Sequence, residues 1–427
     1  MIDKDIIKNN PEKVREYALS KGADPKLIDE YLKASADFIV AEKTYQEKHR
    51  KYVEEATKIE GSNEKKVIDS KDSNKLRENV RSLKKEKREA EIVLQSIDKR
   101  KREFLKLIPN IPASDVKKGK GESENEVIKS WGKSINPTFK IKDHSQLGRE
   151  LDIIDVERAS KVSGSRFGYL KGDGVLLELA LINFAFSTLI KEKFVPVIPP
   201  TLIKKESMDG MGYMEQGGKE DMYLLDKDGL VLVGTAEQSL GSMHKGEILN
   251  VKDLPIRYVG FSSCFRREAG SYGKDTKGIF RVHQFDKVEM LSITKPDESD
   301  KEHDFLLSIE EKLFQALKIP YQVVKMCTGD LGHPVARKYD IEAWFPSEKR
   351  YREVTSTSTT TDYQARRLKI KYKEGVKTEF VHILNGTAFA IGRTILAILE
   401  NYQKEDGSVE IPEVLKIYMG KDKIVRR

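Results

Sequence analysis

Two stretches of this chain repeat an apolar residue every seven positions, and no other feature restricts its folding as much. Tyr31, Phe38, Tyr45, Tyr52 and Ile59 are seven apart, with Ala34 and Ala41 between them. Leu76, Leu83, Ala90, Ile97 and Phe104 do the same, with Val80, Leu94 and Ile108 at the intervening step. A repeat of seven keeps one narrow apolar seam on a helix, and a seam must be covered by another helix. The polar segment GSNEKKVIDSKDSN (61–74) separates the two stretches. The spacing predicts one antiparallel α-helical coiled coil over about 27–108, roughly 45 Å long if 30 residues are helical at about 1.5 Å each. A thin hairpin buries little surface and stands out from its domain as an arm.

The arm is also charged. From Lys75 to Lys106 there are twelve Lys/Arg and six Asp/Glu, centred on Arg81, Lys84, Lys85, Lys87 and Arg88. Such a face is either a solvated helix surface or one that tracks phosphates. The whole chain carries +8, which permits a nucleic-acid partner without establishing one. With 38% hydrophobic and 34% charged residues it is too polar for a membrane bundle, and no run of about 18 apolar residues is expected to span a bilayer. The N-terminus MIDKDIIKNNPEKV lacks the apolar core of a secretory signal. Only Cys264 and Cys327 are present. They exclude a disulfide scaffold, fit a reducing cytoplasm and, lacking a His/Cys cluster, point to buried thiols in apolar strands with no zinc.

After the arm, LIPNIPASDVKKGKGESENEV (107–127) reads as an irregular linker. From about His144 the chain is mixed α and β. Gly172 to Phe194 has the spacing of a long helix, followed by a short strand, VPVIPP. Later runs, LVLVG, IRYVGFSS and HQFDKVEMLSI, are short and β-branched, as in an antiparallel sheet. ILNGTAFAIGRTILAILENYQ reads as a strand that breaks at Asn385-Gly386 into an apolar helix.

No GxxxxGK[ST] loop or GxGxxG turn is present, so a nucleotide would need another cradle. Arginines on a sheet supply one, because the planar guanidinium binds phosphate oxygens bidentately. CFRREAGSYGKDTKGIFRVHQFDKVEM (264–290) offers Arg266, Glu268, Arg281, Phe285 and Glu289 from two apparent strands joined by a glycine-rich basic loop. It is either a positive lid over a sheet or a hairpin with surface ion pairs.

FRREAGSYGKDTKGIFRVHQFDKVE closely resembles motif 2 of the seryl-tRNA synthetases, which are class II aminoacyl-tRNA synthetases, here of the bacterial type. VGTAEQSL (233–240) resembles their serine loop. YDIEAWFPSEKRYREVTSTS (339–358) resembles the strand pair bearing the metal-binding glutamate. TDYQARR (361–367) is a family signature, and HILNGTAFAIGRTILAILENYQ resembles motif 3. LLELALINFAFSTLIKEKFVPVIPP resembles motif 1, the dimer interface.

The resemblance implies an α+β protein: a tRNA-binding domain at 1–110 with its coiled-coil arm, a linker at 111–140, and a class II antiparallel-sheet catalytic domain flanked by helices at 141–427. It implies activation of L-serine with ATP to seryl-adenylate, then transfer to the 3′ end of tRNA(Ser), and of tRNA(Sec) where present. By the same resemblance Arg266, Glu353 and Arg393 are catalytic. Serine falls to Thr235, Ala236, Glu237, Arg266, Glu289, Asn385 and Thr387. ATP falls to Arg266, Arg267, Glu268, Arg281, Val282, Phe285, Glu353, Val354, Thr355, Ser356 and Arg393. Mg²⁺ falls to Glu353 and Ser356, and the tRNA to Arg81, Lys84, Lys85, Lys87 and Arg88. A cytoplasmic homodimer with tRNA bound across subunits, and no membrane partner, completes the expectation.

Three places depart from the family pattern. Gln238-Ser239 replaces Val-Pro, Met208 to Tyr223 lacks the usual Thr-Gly and Leu-Pro elements, and TSTSTTTD (355–362) replaces a stretch with Ser, Cys and Asn.

Overall fold

The computed structural model describes residues 1–65, 70–134, 137–215, 218–269 and 278–426, and the side chains of 60–65 and 70–73 fall outside that description. The glycine-rich basic loop of segment 264–290 thus lies largely outside the described residues, as do the side chains of 61–73 in the polar segment. The chain forms two compact units.

The first unit holds Ile2–Leu19 and Ala23–Ile108. Its bulk is two helices, α1 (Lys26–Lys65) and α2 (Ser70–Leu107). Their helical backbone runs into the polar segment from both sides, so the 40-residue α1 is about 60 Å long, more than the spacing alone predicted. The heptad residues face each other as expected. Tyr31, Ala34, Ala41 and Ala90 are buried, while Phe38, Tyr45, Tyr52, Leu83 and Ile97 remain half-buried. Cross-pairs fix the antiparallel register: Arg100 to Asp37 at 2.7 Å and Lys48 to Glu86 at 3.5 Å. Lysines cap the rings that the narrow seam leaves uncovered, Lys101 over Phe38 and Lys87 over Tyr52.

The second unit holds Pro109–Arg427 with a few N-terminal residues. Its centre is an eight-stranded sheet. In chain order the strands are β1 (Glu126–Trp131), β2 (Val195–Val197), β3 (Ile256–Phe265), β4 (Gln284–Thr294), β5 (Tyr321–Lys325), β6 (Arg337–Phe345), β7 (Arg350–Thr359) and β8 (His382–Ala390). Across the sheet they lie β1-β5-β6-β7-β8-β4-β3-β2. Every pair is antiparallel except β2, the strand of VPVIPP, with β3, which is parallel. Part of the segment read as a linker supplies the edge strand β1.

Three helices pack on this sheet: α3 (Asp173–Lys191), α4 (Ser299–Ala316) and α5 (Ile391–Tyr402). They bury Leu177, Leu181 and Leu189 of α3, Leu313 and Phe314 of α4, and Ile395 to Leu399 of α5 with Phe389 of β8. Each of these side chains other than Ala397 contributes roughly 1.5–3 kcal/mol on leaving water. By length and composition α3 is apolar enough to cross a membrane, contrary to the expectation that no such run exists. Six of its apolar residues are buried in this core, which accounts for its apolarity.

Two further expectations change. β8 does not break at Asn385-Gly386 but runs on to Ala390. The glycine there leaves little room for a side chain within the sheet: a Cβ would lie 3.0 Å from Glu310 Oε1 and 3.0 Å from Met290 Cε. Cys264 is a buried strand thiol, whereas Cys327 is buried in the turn after β5, where its Sγ donates to Gly121 O.

Candidate active site

The sheet opens on one face into a cavity of about 380 Å³. It is lined by residues from β3, β4, β6, β7 and β8, by the start of α5, and by the loop 233–238. Most residues singled out in the sequence come together here, although they are remote along the chain.

Arg266 follows β3 directly. Its Nε donates to Gly234 O at 3.2 Å, and its guanidinium sits 5.3 Å from the Phe285 ring centre on β4. The pairing of Phe285 with Cys264 places these two groups side by side. Arg266, Glu268 and Arg281 stand in the connection between β3 and β4, not on strands as expected, with Val282 beside them, while Phe285 and Glu289 are on β4. Arg281 donates to Glu268 Oε2 at 2.6 Å, and Glu268 has φ of 52°. Arg267 is exposed and packs on Tyr223.

On β7 a bulge opposite Ile341 and Glu342 inserts one extra residue at Val354. The insertion reverses the strand's alternation, so Glu353, Ser356 and Ser358 all line the cavity. Arg393, in the first turn of α5, donates to Glu353 O at 3.2 Å and lies 3.2 Å from Glu353 Oε2. Gly392 lies within that helical turn and does not form a separate one. Arg393 also packs on Phe280, as does Arg352, which the sequence reading missed. Burial opposes ionisation of Glu353, but Arg393 and Lys338 prevail and hold its carboxyl at about 2. Beside it, burial pushes Asp340 up to about 7 despite a 3.2 Å contact with Lys338. Among the described residues no three His, Cys, Asp or Glu side chains are grouped as a metal cage. An ionised Glu353 next to Ser356 instead fits Mg²⁺, which takes few carboxylates and shares phosphate oxygens.

The same cavity is also lined by buried polar groups. Glu289 is 1% exposed. It receives a hydrogen bond from Thr387 Oγ1 at 3.1 Å and a salt bridge from Lys287 at 2.7 Å. Thr235 caps the short helix Ala236–Gly241, accepting from Glu237 N. Both Glu237 oxygens are engaged, one by Tyr213 Oη at 2.7 Å and the other by Gln364 Nε2 at 3.0 Å. Burial, followed by the nearby Glu289, raises the Glu237 carboxyl. Asn385 accepts from Ser358 Oγ at 3.1 Å. One cavity thus brings together arginines and buried carboxyls and hydroxyls.

A model of the tRNA synthetase class II core domain (G, H, P, S and T) matches residues 223–402, and one of the seryl-tRNA synthetase N-terminal domain matches residues 1–112. A serine–tRNA ligase of Dictyoglomus thermophilum is 44% identical, with 98% of each chain covered. One from Acidothermus cellulolyticus is 44% identical, with 99% of each covered. The chain belongs to the seryl-tRNA synthetases. Among solved members of this family, the Pyrococcus horikoshii enzyme complexed with ATP superposes with a TM-score of 0.90 at 40% identity over all of both chains. The cytoplasmic enzyme of Naegleria fowleri in complex with AMP gives 0.83 at 30% identity, covering 98% and 96%.

The departures from the seryl-tRNA synthetase pattern have local partners. Gln238 Oε1 accepts from Gly234 N and ties the serine loop to itself. Within Met208 to Tyr223, Tyr213 reaches Glu237 and Asp221 O accepts from Arg267 N, while 216–217 lie outside the described residues. In the threonine run, Thr355 donates to Glu310, Thr357 to Asn385 O, and Thr360 to Gln364. Lys287, Tyr213, Lys338 and Gln364 line or brace the cavity without having been singled out. Lys287 was detectable, since it sits two residues before Glu289 on one strand face. On the arm, Arg81, Lys84, Lys85 and Arg88 are exposed, whereas Lys87 lies over Tyr52 and is half-buried.

Proposed function

We propose that this chain activates L-serine with ATP and then esterifies tRNA(Ser) with it. One observation carries the reading: a single cleft brings arginines together with buried polar groups, of which Glu289 and Thr387 are already hydrogen-bonded to each other. The serine carboxylate attacks the α-phosphorus of ATP, forming the acyl-phosphate bond and releasing pyrophosphate. Arg266 neutralises charge growing at the α-phosphate, and Arg393 holds the departing pyrophosphate. Phe285 supports the adenine ring and Glu268 contacts its edge, with Val282 offering backbone beside it. Arg267 and Arg281 flank the nucleotide, Arg281 also bracing Glu268. Glu353 and Ser356 would hold Mg²⁺, which supplies a positive charge shared among phosphate oxygens. In the second step the terminal ribose hydroxyl of the tRNA attacks the acyl carbon, and AMP leaves. Positioning and fixed charge do the catalysis, with no protein nucleophile.

Glu289 and Thr387 pair the serine hydroxyl, and Glu237 with Thr235 and Asn385 surrounds the amino end, with Ala236 buried behind them and not lining the cavity. A site that pairs a hydroxyl rejects an analogue lacking it strongly, because its own buried groups are then left unpaired. The 1–110 region supplies the tRNA-binding arm, whose Arg81, Lys84, Lys85 and Arg88 follow the RNA backbone by charge and shape. A homodimer formed through the exposed apolar residues Val175, Leu176 and Leu179 of α3 completes the reading, with tRNA bound across subunits in the cytoplasm. Pyrophosphate exchange with serine, threonine, alanine and glycine tests it. Serine should exceed alanine by about 10⁴-fold or more in kcat/KM, and comparable rates for the two would refute the pocket assignment.

A further inference from the structure

β7 and β8 pair through only three residues: Thr359 with Leu384, Ser358 with Asn385, and Thr357 with Gly386. Beyond Gly386 the two strands part, and the cavity lies over the gap. β8 carries a bulge at the same place, since Glu289 pairs with Thr387 while Val288 already pairs with Phe389. Main-chain groups lose their ladder partners at such a parting, and buried ones need a substitute.

Glu310 of α4 enters the gap from behind. It is fully buried. Its Oε2 is 2.7 Å from Thr355 Oγ1 on β7, and the main-chain N–H of Thr387 on β8 is directed at the same carboxyl. Its Oε1 touches the space above Gly386 and has no hydrogen-bond partner. We propose that Glu310 is a positioning residue for the amino-acid pocket, a strut that bridges β7 and β8 where their pairing stops and so fixes the Thr387 wall against Glu289. The proposal rests on the reading of Glu289 and Thr387 as the serine-hydroxyl site.

The chemistry of the gap fixes the strut's protonation. Burial is the largest influence on Glu310 and raises it well above the ordinary carboxyl range. Glu289 on β4 and Asp340 on β6 add to the rise, and the bonds from Thr355 and Thr387 only partly oppose it. An ionised carboxylate would also leave Oε1 charged and bare in the core. As a neutral acid it still faces the Thr387 N–H, and its bond with Thr355 survives in either direction. An amide does the same work, whereas an apolar chain strands a buried N–H and a hydroxyl.

Three variants test this in serine-dependent pyrophosphate exchange. Glu310→Gln should keep the serine KM within about threefold of wild type, with an unchanged pH profile from pH 6 to 9. Glu310→Met should raise the serine KM about tenfold or more, as stranded buried polar groups require, while the ATP KM stays within about twofold. Equal losses for both substrates, or a Met variant indistinguishable from wild type, would overturn the strut. Glu289→Ala is the control on the underlying reading. If it leaves the serine KM unchanged, the pocket assignment fails; if it raises that KM and Glu310→Met does not, only the strut fails. A thermal measurement holds even if the Met variant does not fold. Folding wild type above the ordinary carboxyl pKa takes up a proton at Glu310, so its stability falls as pH rises, and an amide escapes this. The melting temperature of Glu310→Gln minus that of wild type should therefore grow from pH 6 to 9. A difference that stays flat or shrinks sinks the neutral strut.

Discussion

The helical arm and the catalytic sheet use the same twenty side chains under opposite rules. In the arm most heptad positions stay half-buried, and Arg81, Lys84, Lys85 and Arg88 are exposed to solvent. In the sheet, polar groups as consequential as Glu289, Glu237 and Glu310 are buried almost completely, each tied to named partners. An exposed charge acts weakly, additively and through a salt-screened field. A buried carboxyl acts through one geometry and is costly when a partner is removed. The arm is therefore suited to gripping a large polyanion by many small contributions, and the cleft to discriminating one small alcohol.

The largest break in this contrast should come from Arg393→Ala. One fixed cation gone from the cleft should cost about 10²–10³-fold in pyrophosphate exchange, and near-normal exchange would remove Arg393 from the mechanism. The same change removes one of the charges that hold Glu353 at about 2, so the Glu353 carboxyl should titrate higher, which an NMR pH titration of that side chain reads.

On the arm, Arg81→Glu with Lys85→Glu should leave exchange untouched and depress tRNA charging. If both residues face phosphates, the dependence of log K on log salt should flatten by roughly 0.7–0.9 for each phosphate no longer neutralised. Equal loss in both assays would detach the basic face from tRNA binding.

The smallest expected effect is on acid stability. His303, fully buried in the sheet unit, accepts from Arg337 Nε at 3.3 Å. Burial first, and then Arg337, lower it to about 3. Between its unfolded value near 6.5 and about 3, the unfolded chain binds a proton that the folded one does not, so stability falls as pH falls. His303→Gln should lose less melting temperature than wild type between pH 7 and 5, and an identical or steeper decline would show that His303 is not held neutral.

The two regions were also unequally legible. The hairpin could be read from Tyr31 to Ile108 because a seven-residue repeat is a local property of the chain, and only its extent into the polar segment was underestimated. Arg266, Glu353 and Arg393 were placed by the motifs that contain them. Their convergence could not be read from spacing, since β3, β7 and α5 meet only through sheet order. Asn385-Gly386 misled for the same reason. The pair looks like a turn until the carboxyl of Glu310, 76 residues earlier by the numbering, is seen to crowd it.

The likeness of its motifs to those of the seryl-tRNA synthetases marked the side chains expected to meet ATP and serine, and the order of residues taken alone determined a two-helix arm and its surplus of positive charge. Those properties depend on periodicity and chemical type, which neighbours along the chain suffice to set. Only the folded sheet decided that Tyr213 and Gln364 would saturate Glu237, that a bulge would turn Glu353 and Ser356 to one side, and that a carboxyl would stand between two parting strands. Each is a matter of burial and strand pairing between distant segments, where a hydrogen bond is strong because water has been excluded.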